Sequence, residues 1–171
     1  MILTGYITEN KDGFFTKVYE ITAKLGIDPN WLMAVMFKES GLNHRAVNHT
    51  TGATGLIQFM PATAASLGTT TEALKNMTNV NQLDYVYKYL HPYRFKMKSY
   101  TDVYLAVFFP AAIGKPDNYV LETSTLPASL IAEQNQSMDW NHDHKITKAE
   151  VERWALAGFP PDTVNLLKKK A

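Results

Sequence analysis

The residue best placed to handle a proton in this chain is a glutamate at the end of an apolar stretch. Asp28-Pro29 reads as a helix N-cap followed by proline at the first helical position. Trp31, Leu32, Val35 and Met36 repeat at the spacing of one apolar helical face, and Gly41 supplies the stop. Glu39 therefore falls in the last helical turn. There the negative end of the helix dipole and the apolar neighbours disfavour its ionised form, so its pKa is expected to rise. A carboxyl that keeps its proton near neutral pH is what a general acid needs. Taken alone, Glu39 reads first as an exposed carboxylate at a frayed helix end. The segment that follows shifts the balance. Asn48 through Gly55 is small, polar and glycine-punctuated, which predicts turns or a short β-hairpin. Leu56-Ile57-Gln58-Phe59-Met60 is a compact apolar run with one amide, which must hydrogen-bond to backbone or to a polar ligand. Pro61 then opens a helix that runs to Gly68.

The Glu39-Ser40 pair, followed about fifteen residues later by Gly55-Leu56-Ile57-Gln58-Phe59-Met60-Pro61-Ala62-Thr63-Ala64, resembles the soluble lytic transglycosylase domain, of goose-lysozyme-like fold. The resemblance covers residues 14–120 or so and implies a mainly α, lysozyme-like domain acting on peptidoglycan glycan strands. It implies that Glu39 is the catalytic acid and, in a second step, the base. Ser40, Gln58, Phe59 and Met60 would line the sugar subsites, with Gln58 bonding acetamido or hydroxyl groups. The third landmark departs from the family. Where an Ala-Tyr-Asn-Ala-Gly segment is usual, this chain reads Val107-Phe108-Phe109-Pro110-Ala111, so the family's tyrosine hydroxyl is missing at Phe108. Tyr104, one helical turn earlier, either reaches a similar place as a substrate-binding residue or is simply a core aromatic.

Glycosidases usually pair two carboxylates. From Gly41 through Thr71 there is no Asp or Glu, although a goose-type hydrolase would be expected to carry an aspartate near the hairpin. Glu72, Asp84 and Asp102 read as surface or capping residues. One acid suffices if the substrate's own 6-hydroxyl attacks, which is the family's route to a 1,6-anhydro-muramyl end with no cofactor in catalysis. The expected function is therefore a peptidoglycan lytic transglycosylase cleaving the MurNAc-GlcNAc β-1,4 bond. The alternatives are a hydrolytic muramidase on the same fold, or a non-catalytic glycan-binding or structural module.

A second constellation lies near the C-terminus. Asp139, Asn141, Asp143, the Lys145 carbonyl, Thr147 and Glu150 fall at positions 1, 3, 5, 7, 9 and 12 of an EF-hand-like calcium loop, with Ile146 at position 8. The segment resembles single calcium loops of EF-hand and dockerin-type modules, which implies structural calcium. Glycine is replaced at position 6 by His144, a residue type that tolerates positive φ better than most. The other reading is an acidic solvated loop in which Thr147 and Glu150 form a capping box. His142 and His144 without cysteine are a weak zinc signal. His44, His49 and His91 read as ordinary surface or loop residues.

These residues need elements to hold them. Phe14, Phe15, Val18, Tyr19, Ile21, Ala23 and Leu25 give a helical face ending at Gly26. Further helices are expected near Glu72–Met77, over Asn79–His91 with Val80, Leu83, Val86, Tyr87 and Leu90 on one side, and over Val103–Ala112. Pro110 should kink or stop that last helix. Ser99 and Asp102 make a capping-box-like pair before it. Later helices are expected at Pro127–Gln134, Thr147–Ala157 and Pro161–Lys170. The domain reading is a catalytic segment over 1–122 and a helical C-terminal segment over 123–171 carrying the calcium loop at 139–150, packed on the first. The chain's 171 residues and 46% hydrophobic composition supply one sizeable core. A net charge of +1 implies no nucleic-acid partner, and no run approaches the ~18 apolar residues of a membrane span. With no cysteine, there is no disulfide and no thiol nucleophile. MILTGYITENKDG lacks a signal peptide's apolar core. A monomer acting at the cell wall is expected, delivered by phage lysis or a virion, or as part of a larger exported protein.

Overall fold

The computed structural model describes residues 1–169, and it is mainly helical. The described residues pack as two units, 1–95 and 96–169. This is a division by packing, whereas 1–122 against 123–171 is a division by function that the packing does not test.

In the first unit, α1 (Lys11–Leu25) buries Phe14, Val18, Ile21, Thr22 and Leu25. It packs against α2 (Pro29–Ser40) and α5 (Asn79–Leu90). The start of α2 follows the sequence closely: the Asp28 carboxylate accepts the Asn30 N–H at 2.7 Å, and Pro29 needs no partner for a missing N–H. Its stop is Gly41 in the left-handed region at φ 63°, with the Gly41 N–H returned to the Phe37 carbonyl at 2.8 Å. Burial is wider than one face. All six residues Trp31–Met36 are buried, and exposure begins only at Phe37. The helix is thus a core rod with one polar tip. α3 (Pro61–Ser66) and α4 (Thr71–Asn76) are short, the second capped by the Thr70 hydroxyl.

Two expectations need correction in this unit. No β-hairpin with paired strands forms over 48–60. Isolated antiparallel bridges join Val47 to Thr54 and Thr54 to Phe59, so Thr54 is flanked on both sides by single residues. The chain reverses twice within a dozen residues, with positive φ at Gly52, Gly55 and Gln58, and no two stretches run side by side long enough to become strands. The buried face of α5 is also rotated from the expected one. It comprises Asn79, Gln82, Leu83, Val86 and Leu90, leaving Val80 and Tyr87 half-buried.

In the second unit, α6 (Tyr100–Phe108) starts three residues earlier than expected and stops before Pro110, where a 3-10 turn takes over. Ser99 caps it by accepting the Asp102 N–H at 3.1 Å. Seven consecutive residues, Tyr100–Ala106, are buried. α7 (Ala128–Gln134), α8 (Lys148–Leu156) and α9 (Pro161–Leu167) follow; Lys170, the expected end of the last helix, lies outside the described residues. α8 opens on the anticipated capping box between Thr147 and Glu150 and packs against α6. The Tyr100 hydroxyl donates to the Ala155 carbonyl at 3.0 Å, and Tyr104 packs on Trp154 with ring centroids 5.6 Å apart. No described helix is long and apolar enough to cross a membrane.

Candidate functional site

Glu39 stands half-buried in the last turn of α2, beyond the fully buried rod. The tip it occupies is fastened to the 54–59 turn. The neighbouring Ser40 hydroxyl lies 3.0 Å from both the Met36 carbonyl of its own helix and the Leu56 carbonyl across the gap. Leu56 is held from the other side as well. Its N–H donates to Gln82 Oε1 on α5 at 2.6 Å, while Gln82 Nε2 donates to the carbonyls of His44 and Leu74 at 2.8 and 2.9 Å. Gln82 is completely buried, so this one amide joins four segments of chain around the acid. Gly55 is required beside it. At φ +86° it occupies glycine's region, and a Cβ there would lie 2.5 Å from Gln82 Oε1.

The apolar run after Gly55 divides its labour. Leu56, Ile57 and Phe59 are buried in the core of the unit, and Met60 is exposed, so of these four only Met60 offers an apolar surface to a glycan. Gln58 is half-buried at φ 53°, and its amide nitrogen donates to the carbonyls of Gly55 at 3.1 Å and Ala46 at 3.4 Å. Of the two kinds of partner expected for this lone amide, the backbone is the one it meets here. Phe59 meets Tyr89 edge to face, with centroids 6.2 Å apart, and Tyr93 lies beyond at 6.5 Å. Burial pushes the Tyr89 phenol up to about 12, and nearby Tyr93 and the charge of Glu39 act in the same direction. On the helix itself, burial pushes the Lys38 ammonium down, and the adjacent Glu39 carboxylate opposes it. Tyr104 belongs to the other unit, buried between Phe108 and Trp154.

No second acid from the 41–71 stretch can approach, since the sequence has none there. Asp84 is a surface partner of Lys17 at 2.7 Å. Asp102 is buried and bound to Lys148 at 2.8 Å and to the N–H groups of Gly114 and Lys98, contacts that hold its carboxyl below the usual range against the opposing effect of burial. It is more than a capping residue. Glu9 is ion-paired with Arg45 at 2.8 Å.

Sequence reasoning missed Gln82, Tyr89 and His44. Gln82 and Tyr89 sit seven residues apart on one face of α5, a signal diluted by the four other polar or aromatic residues between them, Asp84, Tyr85, Tyr87 and Lys88. His44 lies in a turn, within the surface-or-loop reading, but not at the surface. It is buried, and its Nε2 meets no hydrogen-bond partner among the described residues. Burial, with Arg45 nearby, pushes its pKa down, against a smaller pull from Glu9.

In the 139–150 loop the acidic oxygens turn to the loop's own backbone. Asp139 accepts the N–H groups of Asp143 and His144 at 3.2 and 3.0 Å, and Asp143 accepts that of Lys145 at 3.0 Å. Glu150 accepts from Trp140 and Thr147. His144 does adopt the positive φ, 61°, that its position demands. Among the described residues no group of three or more His, Cys, Asp or Glu side chains is arranged to hold a metal ion.

A helical unit whose central apolar helix ends in a glutamate, braced against a glycine turn, has the architecture of a lysozyme-like fold. The Transglycosylase SLT domain family matches residues 17–107, just over half of the 171, and the chain belongs to that family. Its activity is accordingly of the lytic-transglycosylase type, degrading peptidoglycan.

Proposed function

We propose that the protein cleaves the MurNAc-GlcNAc β-1,4 bond and releases 1,6-anhydro-muramyl ends, with Glu39 as the one catalytic carboxyl. Glu39 donates its proton to the glycosidic oxygen as the C1–O bond breaks. The 6-hydroxyl oxygen of the same muramyl residue then bonds to C1, and its proton passes to the Glu39 carboxylate, restoring the acid. The observation that carries this reading is the absence of any Asp or Glu between Gly41 and Thr71, the stretch whose 54–59 turn is bonded to the tip of α2. Nothing there activates a water, whereas the sugar's hydroxyl is tethered beside the reacting carbon at high effective concentration. Gln58 and Met60 are the proposed glycan contacts. Ser40 and Phe59 support the site through the Leu56 carbonyl and the Tyr89 ring. For Tyr104, buried between Phe108 and Trp154 within the second unit, the core-aromatic reading is the one supported. Residues 1–122 form the proposed catalytic segment of a monomer that works at the cell wall, delivered by a phage or within an exported protein.

The test is digestion of purified sacculi with mass analysis of the products. Fragments one water lighter than hydrolysed muropeptides, and resistant to borohydride, are expected. Mainly reducing ends would make the enzyme a hydrolase, with Glu9 and Asp84 the first partners to examine.

For the 139–150 loop we propose structural calcium, held by Asp139, Asn141, Asp143, Thr147, Glu150 and the Lys145 carbonyl. The ligand spacing and the positive φ of His144 support it. The ion would have to draw the carboxylates away from the loop N–H groups they now accept from. Calcium should raise the melting temperature, and Asp139→Ala should abolish the rise. Identical melting curves in calcium and in chelator leave the loop as the self-capped turn described above.

A further inference from the structure

Ser40, Leu56 and Gln82 form a fixed chain from the tip of α2 through the turn to α5. That chain sets where α5 faces the acid. Seven residues past Gln82 is two helical turns, which returns to nearly the same face, and the residue there is Tyr89. Phe59, at the end of the same turn, meets the Tyr89 ring edge to face, and the Tyr93 ring packs against it at 6.5 Å. The carboxylate of Glu39 is close enough for its charge to disfavour the Tyr89 phenolate. Three separate elements therefore bring one phenol to the acid.

We propose that Tyr89 is the positioning residue of the site, its hydroxyl holding the Glu39 carboxyl in the pose from which the proton is transferred. The proposal rests on the reading of Glu39 as the general acid. A phenol kept neutral up to about 12 remains a hydrogen-bond donor at every pH where the enzyme would work. It can follow the carboxyl through both halves of the reaction, because it donates to an acid's carbonyl oxygen and, more strongly, to a carboxylate. The charged group beside Glu39 on α2 is Lys38, and Tyr93, in the 3-10 turn that follows α5, is the other group that acts on the phenol.

The decisive variant is Tyr89→Phe, which keeps the ring and its packing on Phe59. It is compared with wild type and Glu39→Gln on solubilised glycan strands, for kcat, KM, pH profile and melting temperature. The expected result is a fall in kcat of about 10- to 100-fold with KM within about two-fold. The alkaline limb of the rate profile should move to higher pH, since the carboxylate loses a donor and the proton is held longer. A Tyr89→Phe enzyme with wild-type kcat and profile, while Glu39→Gln is inactive, overturns the positioning role alone. A kcat loss accompanied by a falling melting temperature and an unmoved profile overturns it in favour of a packing role. An active Glu39→Gln enzyme removes the general-acid reading, and this proposal with it.

Discussion

At the scale of single residues, the site depends on a carboxyl placed where a core helix first meets solvent. Glu39→Gln keeps the shape and removes the proton, so lysis should fall by about 10²- to 10⁴-fold while the melting temperature stays put. Turnover on sacculi beside a thermal melt checks both halves. His44, five residues on, gives a pH dependence of stability. Its folded-state pKa is depressed, so as pH falls below 6.5 the unfolded chain takes up a proton that the folded chain resists. The unfolded state then binds more protons, and stability drops until the folded histidine is protonated too. The melting temperature should therefore decline between pH 7 and 5, and His44→Leu should flatten that part of the curve. An unchanged slope in the variant would assign the decline to other groups. Glu39 was legible in the sequence because one helical face and two boundary signals define its position. His44 was not, because its burial comes from the turn after Gly41, with Leu42 also at positive φ, and no local pattern encodes that.

At the scale of elements, what matters is the brace rather than any one helix. Gln82→Leu would leave the Leu56 N–H and the carbonyls of His44 and Leu74 without their buried partner. At about 1–3 kcal/mol for each unsatisfied group, a loss of about 3 kcal/mol or more is expected. That corresponds to a melting temperature lower by roughly 6–12 °C. Gly55→Ala should be comparably damaging through its φ and its clash with the same amide. A thermal melt of either variant within about 2 °C of wild type would show that the brace is dispensable. The helices were readable from sequence because proline, glycine and capping side chains mark their ends, as at Pro29, Gly41, Pro61 and Ser99. The 47–59 segment was readable only as turns or a short hairpin. Its single bridges span seven and five residues and its bond to Gln82 spans 26, all set by packing and not by periodicity. The same limit hid Tyr89, whose contact with Phe59 joins residues 30 apart and leaves no local pattern.

At the scale of the molecule, the family match and the packing do not share a boundary. The match ends at residue 107, within α6, yet α6 belongs to the unit that begins at Lys96. Its buried partners come from beyond residue 122: Lys148 for Asp102, the Ala155 carbonyl for Tyr100, Trp154 for Tyr104. A chain cut after residue 122 would strand a buried carboxylate, a loss of about 3–5 kcal/mol in itself, and would wet an apolar helix. Such a fragment should be poorly soluble or lack a cooperative melt, which expression and calorimetry would show; a soluble, cooperatively melting fragment would mean that α6 is covered without α8. For anyone recombining catalytic modules, this sets the smallest transferable cassette. A crossover drawn at the end of the recognisable motif hands the recipient an unfinished core, whereas a graft that carries α8 along brings its own keystone.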